Sequence, residues 1–320
     1  MHLRVGVPPE RTDAVRELFE DCPGTAHLAV LPGASVLPPG DLVLADVARE
    51  SADTLISGLR DLGVSSEDGA ISIESVDAAV SRRAEAAEEA APGDGSDAVV
   101  WEQVTRSVAA DSALSISFLA FLTIATLIAS IGIVNDSAIL VIGAMVLGPE
   151  FAPLAGIALA VVHDRRQVGR SAAITLVAGF AVAIGVSALV ALAGRGLGWF
   201  GPELLTADRP QTGFITAPDR WSLLVAVLAG IAGILSLTSA KSGALVGVFI
   251  SVTTVPAAGA MALALALGSA HAFGQAATQL GLNLLGILAA AAATLALQKA
   301  LWRRMPASAP RVGRFARDRR

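Results

Sequence analysis

The chain has 320 residues, of which 54% are hydrophobic and only 16% are charged, and its formal net charge is −5. The mean hydropathy of +0.65 lies above the range of soluble domains and predicts an integral membrane protein. The single cysteine, Cys22, cannot form an internal disulfide, and the four histidines are scattered along the sequence and form no Cys/His cluster. Neither a cofactor nor a metal site is therefore expected.

Residues 1–76 predict a small soluble domain. "HLRVGV" alternates like a strand and "PERTDAVRELFEDCPG" has helical spacing, followed by the strands "AHLAVL" and "DLVLADV", the helical "SADTLISGLRDLG" and the strand "AISIESV". This βαββαβ order is that of a ferredoxin-like split unit. Residues 1–25 carry many charges and no uninterrupted apolar stretch, so no signal peptide is expected and the domain is predicted to stay in the cytoplasm.

Residues 77–111 predict a charged linker followed by an interfacial helix. The segment "DAAVSRRAEAAEEAAPGDGSD" holds few large apolar residues and ends in Pro, Gly and Ser, which is typical of a charged helix that runs into a linker. Val100, Val104 and Val108 then recur at four-residue steps beside Trp101. This pattern predicts a helix that lies along the membrane surface.

Residues 112–298 predict a transmembrane domain, which is followed by a basic tail at 299–320. Six windows lack Asp, Glu, Lys, Arg and His, apart from Glu150, and each reaches the ~20 residues that a helix needs to cross the hydrocarbon. They are 116–134, 137–162, 171–194, 221–239, 242–268 and 276–297. The basic tail predicts a cytoplasmic carboxyl terminus, and an even number of spans places the amino terminus on the same side.

An internal repeat is predicted within these spans. When "VIGAMVLGPEFAPLAGIALAV" is aligned with "LVGVFISVTTVPAAGAMALAL", Gly143 falls on Gly247, and Pro153 falls on Pro256 after a slip of one residue. Each copy is the middle one of three spans, and an odd number of spans reverses the direction of the second half. We therefore expect a 3+3 inverted repeat with broken second and fifth helices, as in secondary transporters that bind their substrate near the midplane.

Three stretches carry a resemblance to a known family. "IGAMVLGPEFAPLAGIALAVVHD", "GVFISVTTVPAAGAMALALALG" and "LGLNLLGI" together resemble the bacterial hydrophobic membrane proteins grouped as the family of domain of unknown function 389. The resemblance covers roughly residues 112–300 and implies a multi-span membrane protein, often behind a small soluble domain, without implying an activity. The first break in relatives is closer to A-P-L-M-x-P, so Glu150 stands where an apolar residue is common.

The first break supplies most of the candidate site. Pro149 and Pro153 have no amide hydrogen, so the carbonyls of Met145 and Pro149 lose their helical partners where lipid offers no replacement. Glu150 falls near the midplane, where a carboxylate costs at least ~2.5 kcal/mol unless it is paired, hydrated or protonated. Two interpretations remain open: Glu150 caps a restarted half-helix, or it coordinates a cation or exchanges a proton in a protein-lined cavity.

The second break, "SVTTVPAAG", is predicted to complete the same site. Pro256 leaves a carbonyl of the preceding turn without a donor, and Thr253 and Thr254 bring hydroxyl groups to this turn. The two threonines alternatively bond only within their own helix. Asn283, on the sixth span, either reaches the site or bridges helices.

The predicted function is that of a membrane transporter or channel for a small ion or solute. The alternative is a membrane-anchored sensor or scaffold whose soluble domain binds a ligand or partner. The spans gather no nucleophile, base and orienting acid, so no enzyme activity is expected.

The expected partners are the lipid bilayer and a small ion or solute. A homo-oligomer is compatible with the sequence, and no nucleic-acid partner is expected. The expected location is a bacterial plasma membrane, with both termini in the cytoplasm.

Overall fold

The computed structural model describes residues 1–64, 69–76, 79–91, 98–216, 220–239 and 254–302. It is mostly helical and has a small antiparallel sheet near the amino terminus. The chain divides into two compact units, of which the first is built mainly from residues 1–104 and the second from residues 105–237 and 242–300. We call them the amino-terminal unit and the helical unit.

The amino-terminal unit has the predicted order of elements. These are β1 (His2–Val7), α1 (Thr12–Glu20), β2 (Thr25–Val36), β3 (Pro39–Val47), α2 (Arg49–Asp61) and β4 (Ala70–Glu74). The strands lie in the order β2-β3-β1-β4, and every neighbouring pair is antiparallel. β2 and β3 extend further than predicted, because their pairing continues through the turn-rich segment as far as Val36 and Pro39.

The core of this unit follows directly from the spacing of its apolar residues. Alternate residues of β1 face inward, and the helices bury the residues that recur on one face. The buried side chains of this core include Leu3, Val5, Phe19, Val43, Leu55 and Leu59. The sheet and the two amphipathic helices bury these side chains in one shared core. Burying a side chain of this size contributes about 1.5–3 kcal/mol.

Two further helices follow this sheet. The first, α3 (Arg82–Ala90), begins at Ser81, whose hydroxyl accepts hydrogen bonds from the amides of Arg83 and Ala84, as an N-cap residue does. The second, α4 (Trp101–Asp111), contains the predicted valine pattern. Val100, Val104 and Val108 are all buried, so protein covers the apolar side of this segment, and its position along the membrane surface stays a prediction.

The first turn of α4 is tied to α2. The amide of Trp101 donates a hydrogen bond of 3.2 Å to Asp53, and Arg60 forms an ion pair of 2.6 Å with Glu102. Burial raises the pKa of Asp53 above its usual 3.8, although the bond from Trp101 and the charge of Arg60 act in the opposite direction. These contacts hold the start of α4 against the amino-terminal unit.

Seven α-helices follow α4 in the described part of the helical unit. They are α5 (Ile116–Val134), α6 (Ala138–Leu147), α7 (Phe151–His163), α8 (Arg166–Gly196), α9 (Arg220–Thr238), α10 (Val255–Leu267) and α11 (Ala270–Trp302). Among the described residues, α5, α8, α9 and α11 are long and apolar enough to cross a membrane, and α6 and α7 pass the same test as a pair bent by 51°. This makes four spans, or five if the bent pair is one. The predicted fifth window begins outside the described residues, so the count of six stays a prediction.

The bounds of two pairs of helices recur at an interval of 104 residues, which is also the separation of Glu150 and Thr254. α5 and α9 begin at 116 and 220 and end at 134 and 238, and α7 and α10 begin at 151 and 255 and end at 163 and 267. α7 ends on Asp164 and α10 on Gly268, and both residues have the left-handed conformation of a helix stop. This interval matches the alignment of Gly143 on Gly247, not the one-residue slip that aligned the prolines.

Small residues allow the helices to approach closely. α8 packs against α5 and α7, and α10 packs against α5 and α8. A Cβ on Gly259 of α10 would lie 3.0 Å from the amide nitrogen of Ser130 in α5, and a Cβ on Gly230 of α9 would lie 2.5 Å from the carbonyl oxygen of Ile287 in α11. Glycine at these positions therefore brings the backbones together, as is common between membrane helices.

Two basic residues cap the short helices from distant parts of the chain. Arg195, at the end of α8, donates a hydrogen bond of 2.7 Å to the carbonyl of Ala266 near the end of α10. Lys299, near the end of α11, donates a hydrogen bond of 2.7 Å to the carbonyl of Val162 near the end of α7. A cation at the carboxyl end of a helix satisfies a free carbonyl and complements the helix dipole. Both donors, at 195 and 299, and both acceptors, at 162 and 266, are again 104 residues apart.

Candidate functional site

The first break lies between α6 and α7, at the predicted position. α6 ends at Leu147, and Gly148 then adopts an extended backbone with φ −68° and ψ 123°. Pro149 has no amide hydrogen, so it cannot continue the hydrogen bonding of α6. Pro153 lies in the first turn of α7, where no amide is needed, and it continues the helix without a second break.

Glu150 precedes α7, and its side chain is almost completely buried, with 1% of its surface exposed. The carboxylate makes no capping hydrogen bond to the first turn of α7. Instead, the hydroxyl of Thr254 donates a hydrogen bond of 2.5 Å to Glu150 Oε1. Thr254 is itself fully buried, and it immediately precedes α10. The structure therefore brings the beginnings of the two short helices together.

This contact point has a distinct electrostatic character. α7 and α10 both begin here, and the amino end of a helix carries about half a positive charge because its first amides have no helical acceptor. The Thr254 hydroxyl adds a donor directed at the carboxylate. Two helix ends and one hydroxyl thus favour a single negative group, which Glu150 supplies. Chemically, the carboxylate is the group that can hold a proton or a cation at this point.

The other predicted site residues are distributed around this contact. Met145 of α6 and Pro256 in the first turn of α10 are buried. Asn283, on α11, is also buried, with 1% of its surface exposed, and its participation in the site stays a prediction. Thr253 lies outside the described residues. Within the described part of the chain, no group of three or more His, Cys, Asp and Glu side chains is placed to hold a metal ion.

Sequence reasoning missed several residues that shape the helical unit. Ser130 donates to the carbonyl of Thr126 within α5, at 2.9 Å, and lies 3.3 Å from the carbonyl of Gly259 in α10. Asp136 accepts hydrogen bonds of 2.9 and 2.8 Å from the amide and hydroxyl of Thr212, and so fixes the loop after α8 to the turn between α5 and α6. Of these residues, Arg195 and Lys299 were open to prediction, because they are as far apart in the sequence as the aligned Gly143 and Gly247.

A second polar cluster lies in the amino-terminal unit. His2 Nδ1 and His27 Nδ1 lie 2.8 and 3.2 Å from the two carboxylate oxygens of Asp46, and His27 Nε2 lies 3.2 Å from the hydroxyl of Ser81. Burial alone would raise the pKa of Asp46, but the hydrogen bonds and charges of the two histidines outweigh it and lower this pKa below its usual value. The cluster joins the sheet to Ser81, the N-cap residue that precedes α3.

Comparison with known proteins finds a relative and a family model that match part of the chain. A protein of Methanocaldococcus jannaschii described as uncharacterized is 30% identical over 151 residues, which are 47% of this chain and 44% of that relative. The match thus spans less than half of the relative's length, and no solved structure matches the chain. The model of the family described as Domain of unknown function (DUF389) matches residues 145–289. Because this segment contains both Glu150 and Thr254, the paired helix beginnings lie in the part of the chain that matches this family model.

Proposed function

We propose that this protein carries a small ion or solute across a membrane, with Glu150 and Thr254 at the centre of the pathway. The supporting observation is the 2.5 Å hydrogen bond between two buried polar side chains that lie at the beginnings of two short helices. An ionisable group inside a membrane domain is costly and is usually kept for function. Broken helices whose ends meet at such a group are the typical binding arrangement of secondary transporters.

The transport proposal includes an inverted repeat of residues 116–196 and 220–302. The interval of 104 residues supports it, and so do the reciprocal caps made by Arg195 and Lys299. Two halves of three spans each would be related by a pseudo-two-fold axis in the membrane plane. A residue that contacts its own equivalent lies beside such an axis. Glu150 and Thr254 are equivalent in this repeat, and their contact therefore favours a site at mid-depth.

The repeat predicts that equivalent residues face opposite sides of the membrane. Gln167, at the start of α8, and His271, at the start of α11, are equivalent and exposed. In a Cys22→Ser background, cysteine at 271 should react with a membrane-impermeant maleimide added to intact cells. Cysteine at 167 should react only after the cells are opened, because the basic tail places both termini in the cytoplasm. Labelling of both positions from the same face would contradict the inverted repeat.

The chemistry of the contact favours a proton or a monovalent cation as the transported or coupling ion. Of the two helix breaks, only the first brings an acidic side chain to the contact, and the amino ends of α7 and α10 offset part of its charge. A divalent ion would require more negative ligands than this arrangement offers. Glu150 would bind the ion or proton through its carboxylate, while the carbonyls freed by Pro149 supply further oxygen ligands.

Proteoliposomes test this proposal directly. The full chain is reconstituted into vesicles that contain a dye sensitive to protons, Na⁺ or K⁺, and a gradient of the same ion is imposed. We expect dye responses faster than those of protein-free vesicles for at least one gradient. Identical responses with and without protein, for all three ions, would contradict ion transport and leave the sensor interpretation.

Removing the hydroxyl at position 254 should weaken this flux. Thr254→Val keeps the shape of the side chain but deletes the donor to Glu150, so we expect a several-fold lower flux with unchanged assembly. The matched control is Thr126→Val, because Thr126 is equally buried but donates only to Leu122 within its own helix. Equal effects of the two variants would mean that Thr254 has only a structural role.

A second candidate function rests on the polar cluster of the amino-terminal unit. The chain from His2 and Asp46 through His27 to Ser81 connects the sheet to α3, which precedes the segment leading to the helical unit. A ligand that bound Asp46 or His27 would change the contact at the beginning of α3. This favours a membrane-anchored sensor if the vesicles show no flux.

A further inference from the structure

A cavity of about 340 Å³ lies within the helical unit, away from the Glu150 contact. Residues of α5, α8 and α10 form its walls, including Leu127, Val190 and Leu263, and the aromatic side chains of Trp199 and Phe200 lie at one end. Its size falls in the range of pockets that hold small organic molecules, which is about 300–1,000 Å³.

Two hydroxyl groups lie at the deep end of this cavity. Ser187 is buried, with 1% of its surface exposed, and its Oγ has no hydrogen-bond partner among the described residues. Ser130 lines the same cavity and has acceptor capacity left after donating within its own helix. Ser187 lies about 10 Å before Gly194 along α8. Gly194 packs against Trp199 and Phe200. Ser187 and Ser130 are buried whereas Trp199 is 73% exposed, so the hydroxyl groups lie deeper than the aromatic end.

Among the described residues, no charged side chain lines the cavity. The nearest cation along α8, Arg195, is engaged with the carbonyl of Ala266. An ionised ligand would lose its hydration here without gaining a partner, which strongly disfavours it. A plain hydrocarbon chain fits the walls but leaves the buried Ser187 hydroxyl without a hydrogen bond, which also costs free energy. The best match is a molecule with an apolar body and one uncharged polar group at its leading end.

We propose that this cavity binds an uncharged, mainly apolar organic molecule whose hydroxyl, carbonyl or amide group hydrogen-bonds to Ser187. The side chains around the cavity support entry from the bilayer, since Ile131 and Val190 line it and are each about half exposed. The site does not depend on transport, because none of its lining residues takes part in the contact between Glu150 and Thr254.

A photoreactive diazirine derivative of octanol tests the site in the full chain reconstituted in lipid nanodiscs. After illumination, mass spectrometry should place the label within residues 127–135 and 187–194, and excess octanol should prevent it. Octane, which has the same apolar body without the hydroxyl, should compete roughly five- to tenfold less well, the value of about one hydrogen bond. Equal competition by octane and octanol would overturn the proposal, since it would indicate partition into an apolar space.

Two variants and a control complete the test. Ser187→Ala removes only the hydroxyl, so it should weaken octanol competition roughly five- to tenfold and abolish its advantage over octane. Ala191→Phe fills the cavity and should remove the label, whereas Val177→Phe adds bulk to the same helix at a position that is 70% exposed and should leave it unchanged. Labelling of Ser187→Ala that is identical to the parent in yield and competition would also overturn the proposal. This variant changes too little volume to threaten folding, so its result decides the matter if Ala191→Phe does not assemble.

Discussion

Glu150→Gln is expected to reduce proton or cation flux by at least about tenfold while leaving assembly intact. Glutamine keeps the size of the side chain and can still accept the hydrogen bond from Thr254, but it neither ionises nor exchanges a proton. Initial flux into proteoliposomes gives the measurement, and size-exclusion chromatography of the same preparation reports assembly.

The control for this variant is Glu203→Gln, which makes the same chemical change at an exposed position between α8 and α9. We expect its flux to equal that of the parent. If Glu150→Gln also transported at the parental rate, the carboxylate would serve only the ends of α7 and α10, and the transport pathway would have to lie elsewhere. A loss of flux in both variants would point to a general effect of charge on reconstitution.

Gly230→Ala is expected to produce the largest loss of stability in the helical unit. The added Cβ would lie 2.5 Å from the carbonyl oxygen of Ile287 and 2.9 Å from the Cβ of Ala290. Neither atom can move by a change of rotamer, so α9 and α11 would have to separate. Overpacking of this kind costs typically 1–3 kcal/mol, and more where backbone is displaced. The loss is measured as a lower midpoint of thermal unfolding in detergent.

Gly281→Ala provides the matched control in the same pair of helices. Gly281 lies on α11, and a Cβ there would meet nothing within 4 Å. Because alanine has a higher helix propensity than glycine, this variant should be neutral or more stable by up to about 1 kcal/mol. Equal midpoints for the two variants would contradict the close approach of α9 and α11 at Gly230.

The contact between Glu150 and Thr254 differs from the local helix cap that the sequence also allowed. A local cap would place the carboxylate on the first amides of α7, yet its side chain makes no such bond. It reaches the residue before α10 instead, so the negative group serves two helix beginnings from different parts of the chain. In a transport cycle, a proton or cation bound at Glu150 would weaken this shared attraction at both helices together. That coupling gives the site a physical means of influencing both halves of the helical unit.

Local features of the sequence determined the elements of this protein. The apolar window 116–134 is the helix α5 residue for residue, because the length of an uncharged run and its polar ends directly limit a helix. The break before Glu150 was equally predictable, since Pro149 has no amide hydrogen with which to continue the hydrogen bonding of α6. The alternating and helical patterns of residues 1–76 likewise determined the order of strands and helices in the amino-terminal unit.

Only the tertiary structure decided which distant residues meet. The sequence left open whether Glu150 caps its own helix or faces a partner, because both outcomes satisfy the same local pattern, and the choice of Thr254 depends on how segments 104 residues apart pack. The same holds for the caps made by Arg195 and Lys299, whose long side chains reach carbonyls on helices that are remote in the chain. The hydroxyl of Ser187 looks like any helical serine in the sequence, and it acquires a cavity only when α5, α8 and α10 assemble around it. Periodicity and chain breaks act within a few residues, whereas contacts between helices depend on the shapes of both partners.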